Sequence, residues 1–347
     1  MAKLLLKNGR VVDPANGIDE VRDVLVDAGV IARVEANLDP SEADTMYDCA
    51  GMVVAPGFVD MHVHLREPGR EDQETIASGG RAAAAGGFTA VACMPNTRPV
   101  NDDQSVTQFI LAQARRCSPV RVHPIGAITK GSMGEELSEI GDLVHLGCVA
   151  ISDDGRPVRS GFVMRKALEY ATMFGIPVIN HAQDLDLAGE GVMNEGFYST
   201  VLGMRGMSPA AEDVMVYRDI LLAEITGGRI HIPHISTARS VELVRDARAR
   251  GTAVTCEVAP HHFALTDEAV CGYDTNMKMN PPLRSERDRG AIIEAISDGI
   301  IDTVASDHAP HCREEKEVEF DRAPFGVIGL ETAVPLGLDR LVGGTHI

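Results

Sequence analysis

His62 and His64 stand one residue apart in the run Asp60-Met61-His62-Val63-His64-Leu65-Arg66-Glu67-Pro68. Residues two apart on an extended segment project to the same side, so both imidazoles can meet a single ion. Other residues of metal-ligand type end later apolar runs: Asp153-Asp154, His181, His231 with His234, and Asp307. Each has an ordinary explanation alone, since a buried histidine can simply be hydrogen-bonded and an aspartate can cap a helix. Five apolar runs that all end in imidazole or carboxylate are harder to explain that way, because grouped ionisable side chains are costly to bury without a cation. Four histidines and two aspartates suffice for two divalent ions with one carboxylate between them. Imidazole and carboxylate without thiolate suit zinc, and also manganese or cobalt. Such ions activate water for hydrolysis. Neighbours on a strand face opposite sides, so only one of Asp153 and Asp154 can point inward, and strand phase does not choose between them. His234, nearer the strand's C-terminal end, is favoured over His231.

Elements of a particular kind must bring these residues together. Apolar, strand-like runs occur at 58–65, 88–94, 120–128, 149–152, 177–181, 229–235, 253–258 and 303–306. Helical patterns lie between them at 76–85, 106–116, 135–146, 162–174, 210–225, 240–250 and 287–297, and several are closed by glycine. Continuous apolar strands alternating with amphipathic helices imply a parallel sheet covered by helices, and eight of them imply a (β/α)8 TIM-like barrel. An open doubly wound sheet is disfavoured, because no Gly-x-Gly-x-x-Gly follows the first strand. Barrels carry their chemistry at the C-terminal strand ends, where the candidate ligands lie. Residues 1–55 form a separate set of short β-runs, and residues 56–347 hold the barrel. The eighth helix can start in 329–341, and the barrel is expected to be shortened there. Met193-Asn194-Glu195, between Gly191 and Gly196, reads as a surface loop. The charged run 313–317 reads as a solvated face or a lid over the site.

The 347 residues carry a formal charge of −19, which excludes a phosphate-binding, nucleic-acid surface. An anionic small substrate stays compatible if positive charge is concentrated at the site. Seven scattered cysteines without a C-x-x-C pair make no disulfide framework and fit a reducing cytoplasm. No apolar stretch reaches the roughly 20 residues a membrane span needs.

The run 60–68 resembles the first signature of the dihydroorotases. Ala305-Ser306-Asp307-His308-Ala309-Pro310-His311, with Lys316 beyond it, resembles the second. Met94-Pro95-Asn96-Thr97, Ser152-Asp153-Asp154-Gly155, Asn180-His181-Ala182, His234-Ile235-Ser236-Thr237 and Asn280-Pro281-Pro282-Leu283-Arg284 fall between them in the family's order. The resemblance covers nearly the whole chain and is to the bacterial class I members within the amidohydrolase superfamily. It implies a distorted barrel plus a small β-sandwich domain built from both chain ends, with the C-terminal part of the sandwich missing here. It implies zinc-dependent interconversion of N-carbamoyl-L-aspartate and L-dihydroorotate in pyrimidine synthesis. Carried over, His62, His64 and Asp307 hold one metal, Asp154 bridges, and His181 and His234 hold the second. Asp307 also moves the proton. Arg66, Asn96 and His311 hold the substrate carboxylate, while Asn280 and the backbone of Phe325-Gly326 hold the ring amides; His64 also borders the substrate. A homodimer and an association with aspartate carbamoyltransferase are the partners implied. The rival readings are a hydantoinase or allantoinase, which resemble this architecture but carry a carboxylated lysine as the bridge, and a silent partner of that carbamoyltransferase.

Overall fold

The computed structural model describes residues 2–347, which divide into compact units at 2–58 and 59–347. The first unit is a five-stranded sheet. Strand Leu4–Asp13 pairs antiparallel with Ile18–Asp27, which pairs antiparallel with Val30–Glu35; Thr45–Asp48 and Val53–Val54 run parallel to Leu4–Asp13. Its apolar cluster is small, centred on Leu5, Leu25 and Leu38, whereas Val21, Val30, Ile31, Tyr47 and Val53 are exposed.

The second unit contains the alternation of strands and helices. All eight apolar runs contain strand, at Phe58–Val63, Phe88–Cys93, Arg121–Pro124, Ile151–Ser152, Val178–Ile179, Ile230–Ile232, Val254–Val258 and Thr303–Val304. The first three form one sheet and the last five another, each in chain order. Parallel bridges Gly126↔Ile151 and Val63↔His308 join the two arcs into a ring. Between the first and last strands the seam is partly made by a side chain, because the Asp60 carboxylate accepts from the Ser306 N–H.

The helices begin where side chains satisfy their free N–H groups. Thr75 caps Ile76–Ala85 in a capping box with Ser78, and Asp103, Ser160, Thr237 and Ser285 cap Gln104–Cys117, Gly161–Thr172, Ala238–Ala249 and Glu286–Ser297. Helix Ala210–Thr226 lacks such a cap and begins after Pro209. Strand residues Ile151, Val178, Ile230, Ile232 and Val258 pack with Met164, Leu168, Val216, Ile220, Val244 and Ile292 of these helices in one buried core. A second cluster, Met94, Ile125, Ala150 and Ile179, lies apart from it.

Two elements differ from expectation. The fourth-strand approach is helical only over Ile140–Leu146, because 136–138 turn back on the third strand's end: Lys130 N–H donates to Glu136 O, and Ser138 donates to Ile128 O and Ala127 O. Met193–Asn194 is a buried parallel pair with Gly206–Met207, not an exposed loop. After Thr332 the chain makes a short helix, Ala333–Gly337, and a wider turn, Leu338–Val342. Among the described residues no helix is long and apolar enough to cross a membrane.

Candidate active site

The first strand delivers His62 and His64 side by side, with ring centroids 5.4 Å apart. Its end is fixed by backbone pairing, as His64 N–H donates to His308 O (2.8 Å). The fourth strand separates the two adjacent aspartates as their opposite directions require. Asp153 turns into protein, accepting from the N–H groups of Ile128 and Thr129 and from the Thr129 hydroxyl. Asp154 turns to the histidines and is buried. A similar division holds on the sixth strand. His231 is taken up by Thr255 and Glu257, whereas His234, just beyond the strand, reaches Asp154.

Asp154 Oδ1 is the point of convergence. His62 Nε2, His181 Nδ1 and His234 Nε2 lie 3.6, 3.7 and 3.6 Å from it, and His64 Nε2 lies 3.4 Å from Oδ2. Asp307 Oδ1 completes the group at 3.5 Å from His62 Nε2 and 3.3 Å from His64 Nε2. These spacings are long for hydrogen bonds, and His62 Nε2 and Asp154 Oδ1 are buried without a hydrogen-bond partner. Ligand bonds of about 2.0–2.2 Å in a tetrahedral arrangement put donor atoms roughly 3.3–3.6 Å apart, so these imidazole–carboxylate spacings fit divalent ions better than hydrogen bonds, whereas His181 Nδ1 and His234 Nε2 stand 2.9 Å apart, at hydrogen-bond distance. Two overlapping groups meet the geometric requirement, His62–His64–Asp154 and Asp154–His181–His234.

The other ring nitrogens are held from behind. His62 Nδ1 lies 2.5 Å from Glu257 Oε1 and His64 Nδ1 2.9 Å from Asn96 Oδ1. His181 Nε2 lies 3.0 Å from Gln183 Oε1, which leaves Nδ1 on the Asp154 side. Burial works to raise the carboxyls of Asp154 and Asp307, but the surrounding imidazoles, His62 foremost, outweigh it and hold both well below the carboxylate range. Burial likewise opposes charge on His62, yet Asp154, Glu257 and Asp307 push its imidazole well above the usual value. Excess negative charge therefore surrounds His62, as a cation site requires. The backbone is strained here, with positive φ at Arg66 (60°), His234 (32°) and Asp307 (48°).

A cavity of about 340 Å³ opens on this group. Arg66, Asn96, Asn280, His311, Phe325 and Gly326 line it together with His64, Asp154, His181, His234 and Asp307. Arg66 Nε donates to Pro310 O (3.2 Å). Asn280 Nδ2 donates to Gln183 Oε1 (2.8 Å), and its buried Oδ1 has no hydrogen-bond partner. His311 Nε2 donates to Phe325 O (2.7 Å). At Gly326, φ is 126° and a Cβ would come within 2.8 Å of Ala309 and 3.0 Å of His311 Nε2, so only glycine fits the turn.

The family description "Dihydro-orotase-like" matches residues 51–240. A dihydroorotase of Geobacter sulfurreducens is 58% identical over 341 residues, covering 98% of this chain and 80% of that protein. One from Pelotomaculum thermopropionicum is 58% identical over 340 residues, covering 98% and 79%. The chain belongs to the dihydroorotase family. Among solved structures, it is similar to the L-hydantoinase (dihydropyrimidinase) of Arthrobacter aurescens, with a TM-score of 0.88, 26% identity, and coverage of 100% of this chain and 79% of that one. A D-hydantoinase of Thermus sp. gives 0.79 at 25% identity, with 98% and 77% covered. The dihydroorotase-family chain thus shares the TIM-barrel amidohydrolase fold.

Several residues of this site have roles that the sequence does not signal. Glu257 stands in an apolar strand with no neighbour that marks it, although a lone glutamate in Val-Thr-Cys-Glu-Val was a visible anomaly. Gln183 follows His181 at the same i, i+2 spacing as His64 follows His62. Lys316 donates to Pro324 O and Gly326 O, so it braces the turn that carries Phe325 and Gly326. Within the charged run, Glu315 is bound by Arg70 and Gln73, more than a solvated face requires.

Proposed function

We propose that this chain interconverts N-carbamoyl-L-aspartate and L-dihydroorotate, a step of pyrimidine synthesis. The observation that carries the reading is one cavity that joins the imidazole–carboxylate group around Asp154 to the Arg66 guanidinium. Two divalent ions, zinc or alternatively manganese or cobalt, would be held by His62, His64 and Asp307 and by His181 and His234, with Asp154 shared. When bound, they supply Lewis acidity and lower the pKa of water.

The protein's own groups do the rest. Asp307 is ionised and turns Oδ1 to the imidazoles, so the proton of the attacking water passes to Oδ2 and from there to the leaving ring nitrogen. In ring closure the same proton runs back. Arg66 presents a planar fork suited to the substrate carboxylate, assisted by Asn96 and His311. This concentrates positive charge within an acidic protein. Asn280 and the backbone of Phe325 and Gly326 hold the ring amides. Burial and the nearby Arg66 push the His311 imidazole down to about 4, so it is neutral at pH 7 and donates from Nε2.

The finer architecture is part of the proposal: an eight-stranded barrel at 56–347, and in 1–55 one part of a β-sandwich whose exposed apolar residues call for a covering layer. Helix Ala210–Thr226 exposes Val214, Tyr217, Leu221 and Ile225, a stripe that supports a homodimer, with aspartate carbamoyltransferase as the other candidate partner. All seven cysteines are unpaired, which supports a cytoplasmic location.

The test is ring opening of L-dihydroorotate by the purified chain, with elemental analysis of the same sample. Turnover of dihydroorotate with bound metal supports the reading. Turnover of hydantoin or allantoin but not dihydroorotate overturns the substrate assignment, and metal-loaded chain without any turnover leaves the silent-partner reading in place.

A further inference from the structure

On the side of the ring where the strands begin there is a second cavity of about 350 Å³, lined by Val59, Met61, Val149, Pro177, His231 and Thr255 among others. From its wall a chain of hydrogen bonds, part-buried at Thr255 and buried beyond it, runs to the metal group. Thr255 Oγ1 lies 2.8 Å from His231 Nδ1, His231 Nε2 lies 3.2 Å from Glu257 Oε2, and Glu257 Oε1 lies 2.5 Å from His62 Nδ1. His62, His231 and Glu257 are at most 2% exposed. Strand geometry builds the chain: Thr255 and Glu257 are two apart on one strand and share a side, and His231 is the register partner of Thr255 on the next.

We propose that Glu257, backed by His231 and Thr255, is a positioning strut that orients His62 and thereby sets the affinity of the His62–His64–Asp154 group for its ion. An ionised carboxylate only accepts, so both imidazoles must donate to it. His231 then carries its proton on Nε2 and accepts the Thr255 hydroxyl at Nδ1. His62 carries its proton on Nδ1, which leaves the Nε2 lone pair facing Asp154 and Asp307. The strut thus selects the one tautomer of His62 that can bind a cation on that side. His181 and His234 have no hydrogen bond to this chain: His181 Nε2 contacts Gln183 and Asn280, and His234 Nε2 lies 2.9 Å from His181 Nδ1. The effect is therefore confined to one of the two ions.

The inference rests on the metal-binding reading above, and its test separates the two. Zinc affinity is measured by competition with a chromophoric chelator for the wild type, Glu257→Leu and Glu257→Gln, with His62→Ala and His181→Ala as references for each ion. Glu257→Leu removes the acceptor and is expected to weaken one ion about 10–100-fold, the range for loss of a partner behind a metal-binding histidine. The weakened ion is the one lost in His62→Ala. Glu257→Gln keeps an acceptor oxygen and falls between Leu and wild type. Should the Leu variant fail to fold by circular dichroism, the Gln variant decides alone, since selective weakening supports the strut and wild-type affinity for both ions overturns it. Equal weakening of both ions in a folded variant also overturns it. A wild type that binds two ions while the variants match it refutes only the strut; a wild type that binds none refutes the metal reading as well.

Discussion

Replacing Asp307 with asparagine keeps the shape of the site and removes the group that carries the proton. Asparagine is nearly isosteric, so Oδ1 can stay 3.3–3.5 Å from the imidazoles of His64 and His62. His62, His64 and Asp154 remain as a complete set of three ligands, and metal content is expected to persist. Only proton transfer is lost, because an amide cannot take a proton from water and return it at neutral pH. A positioned acid–base group contributes about 10²–10⁴ in rate, equivalent to roughly 2.7–5.5 kcal/mol of barrier. The assay is steady-state ring opening of L-dihydroorotate on samples whose metal content has been measured. The expected result is kcat lowered at least a hundredfold with KM within a few-fold of wild type, the pattern of an interaction made only in the transition state. A metal-replete Asp307→Asn variant that turns over within tenfold of wild type refutes the assignment. Ring closure must fall by the same factor, because one proton serves both directions.

Arg66→Ala should act on binding instead, raising KM for dihydroorotate by about ten- to a hundredfold through loss of a charged hydrogen bond worth roughly 1.5–3 kcal/mol; an unchanged KM in steady-state assays counts against the carboxylate contact. His311 gives a pH signature. Its folded imidazole is held down to about 4 against an ordinary 6.5, so the unfolded chain binds the extra proton between those values. The stability this group contributes is complete above pH 6.5 and lost as pH falls towards 4. Urea titrations of His311→Gln over that window should show a shallower slope, and a slope equal to wild type would refute it. Arg284→Met should lower unfolding stability by about 3–5 kcal/mol, because it strips the partner from buried Glu212 and the donors from Ser236, Asn194 and Met207 O. A denaturation midpoint near wild type would show that the cluster contributes little.

The ring of strands was legible because parallel strands buried on both faces read as continuous apolar runs, and their ends are where polar residues become conspicuous. The i, i+2 spacing placed His62 and His64 together on the same grounds. Periodicity could not choose between Asp153 and Asp154, since both candidates satisfy one strand. The choice depends on Thr129 and the Ile128 N–H, which receive Asp153 from a different segment. Tertiary contacts also overrode local pattern at 136–138, where backbone pairing with 128–130 displaced the first turn of an apparent helix. Met193 and Asn194 looked like loop because glycines flank them. Gly191 instead permits close approach, as a Cβ there would lie 2.6 Å from Met207 N, and buried Asn194 binds Arg284 and Asp267. Glu257 was hidden for a simpler reason. Its partners, His62 and His231, are 195 and 26 residues away in sequence.

The seam that Asp60 makes with Ser306 joins residues 246 apart in the chain. Closing so long a loop adds little to the equilibrium cost, because loop entropy rises by only about 0.6 kcal/mol per doubling. It bears more heavily on biosynthesis. At about 5–20 residues per second, a ribosome needs roughly 12–50 s to travel from Asp60 to Ser306. Throughout that interval the strand Phe58–Val63 has a bare edge of unpaired backbone groups, and His62 and His64 wait without Asp307. Open strand edges invite pairing with other chains. The nascent polypeptide thus passes through a prolonged, adhesive stage that ends only when its last strand emerges.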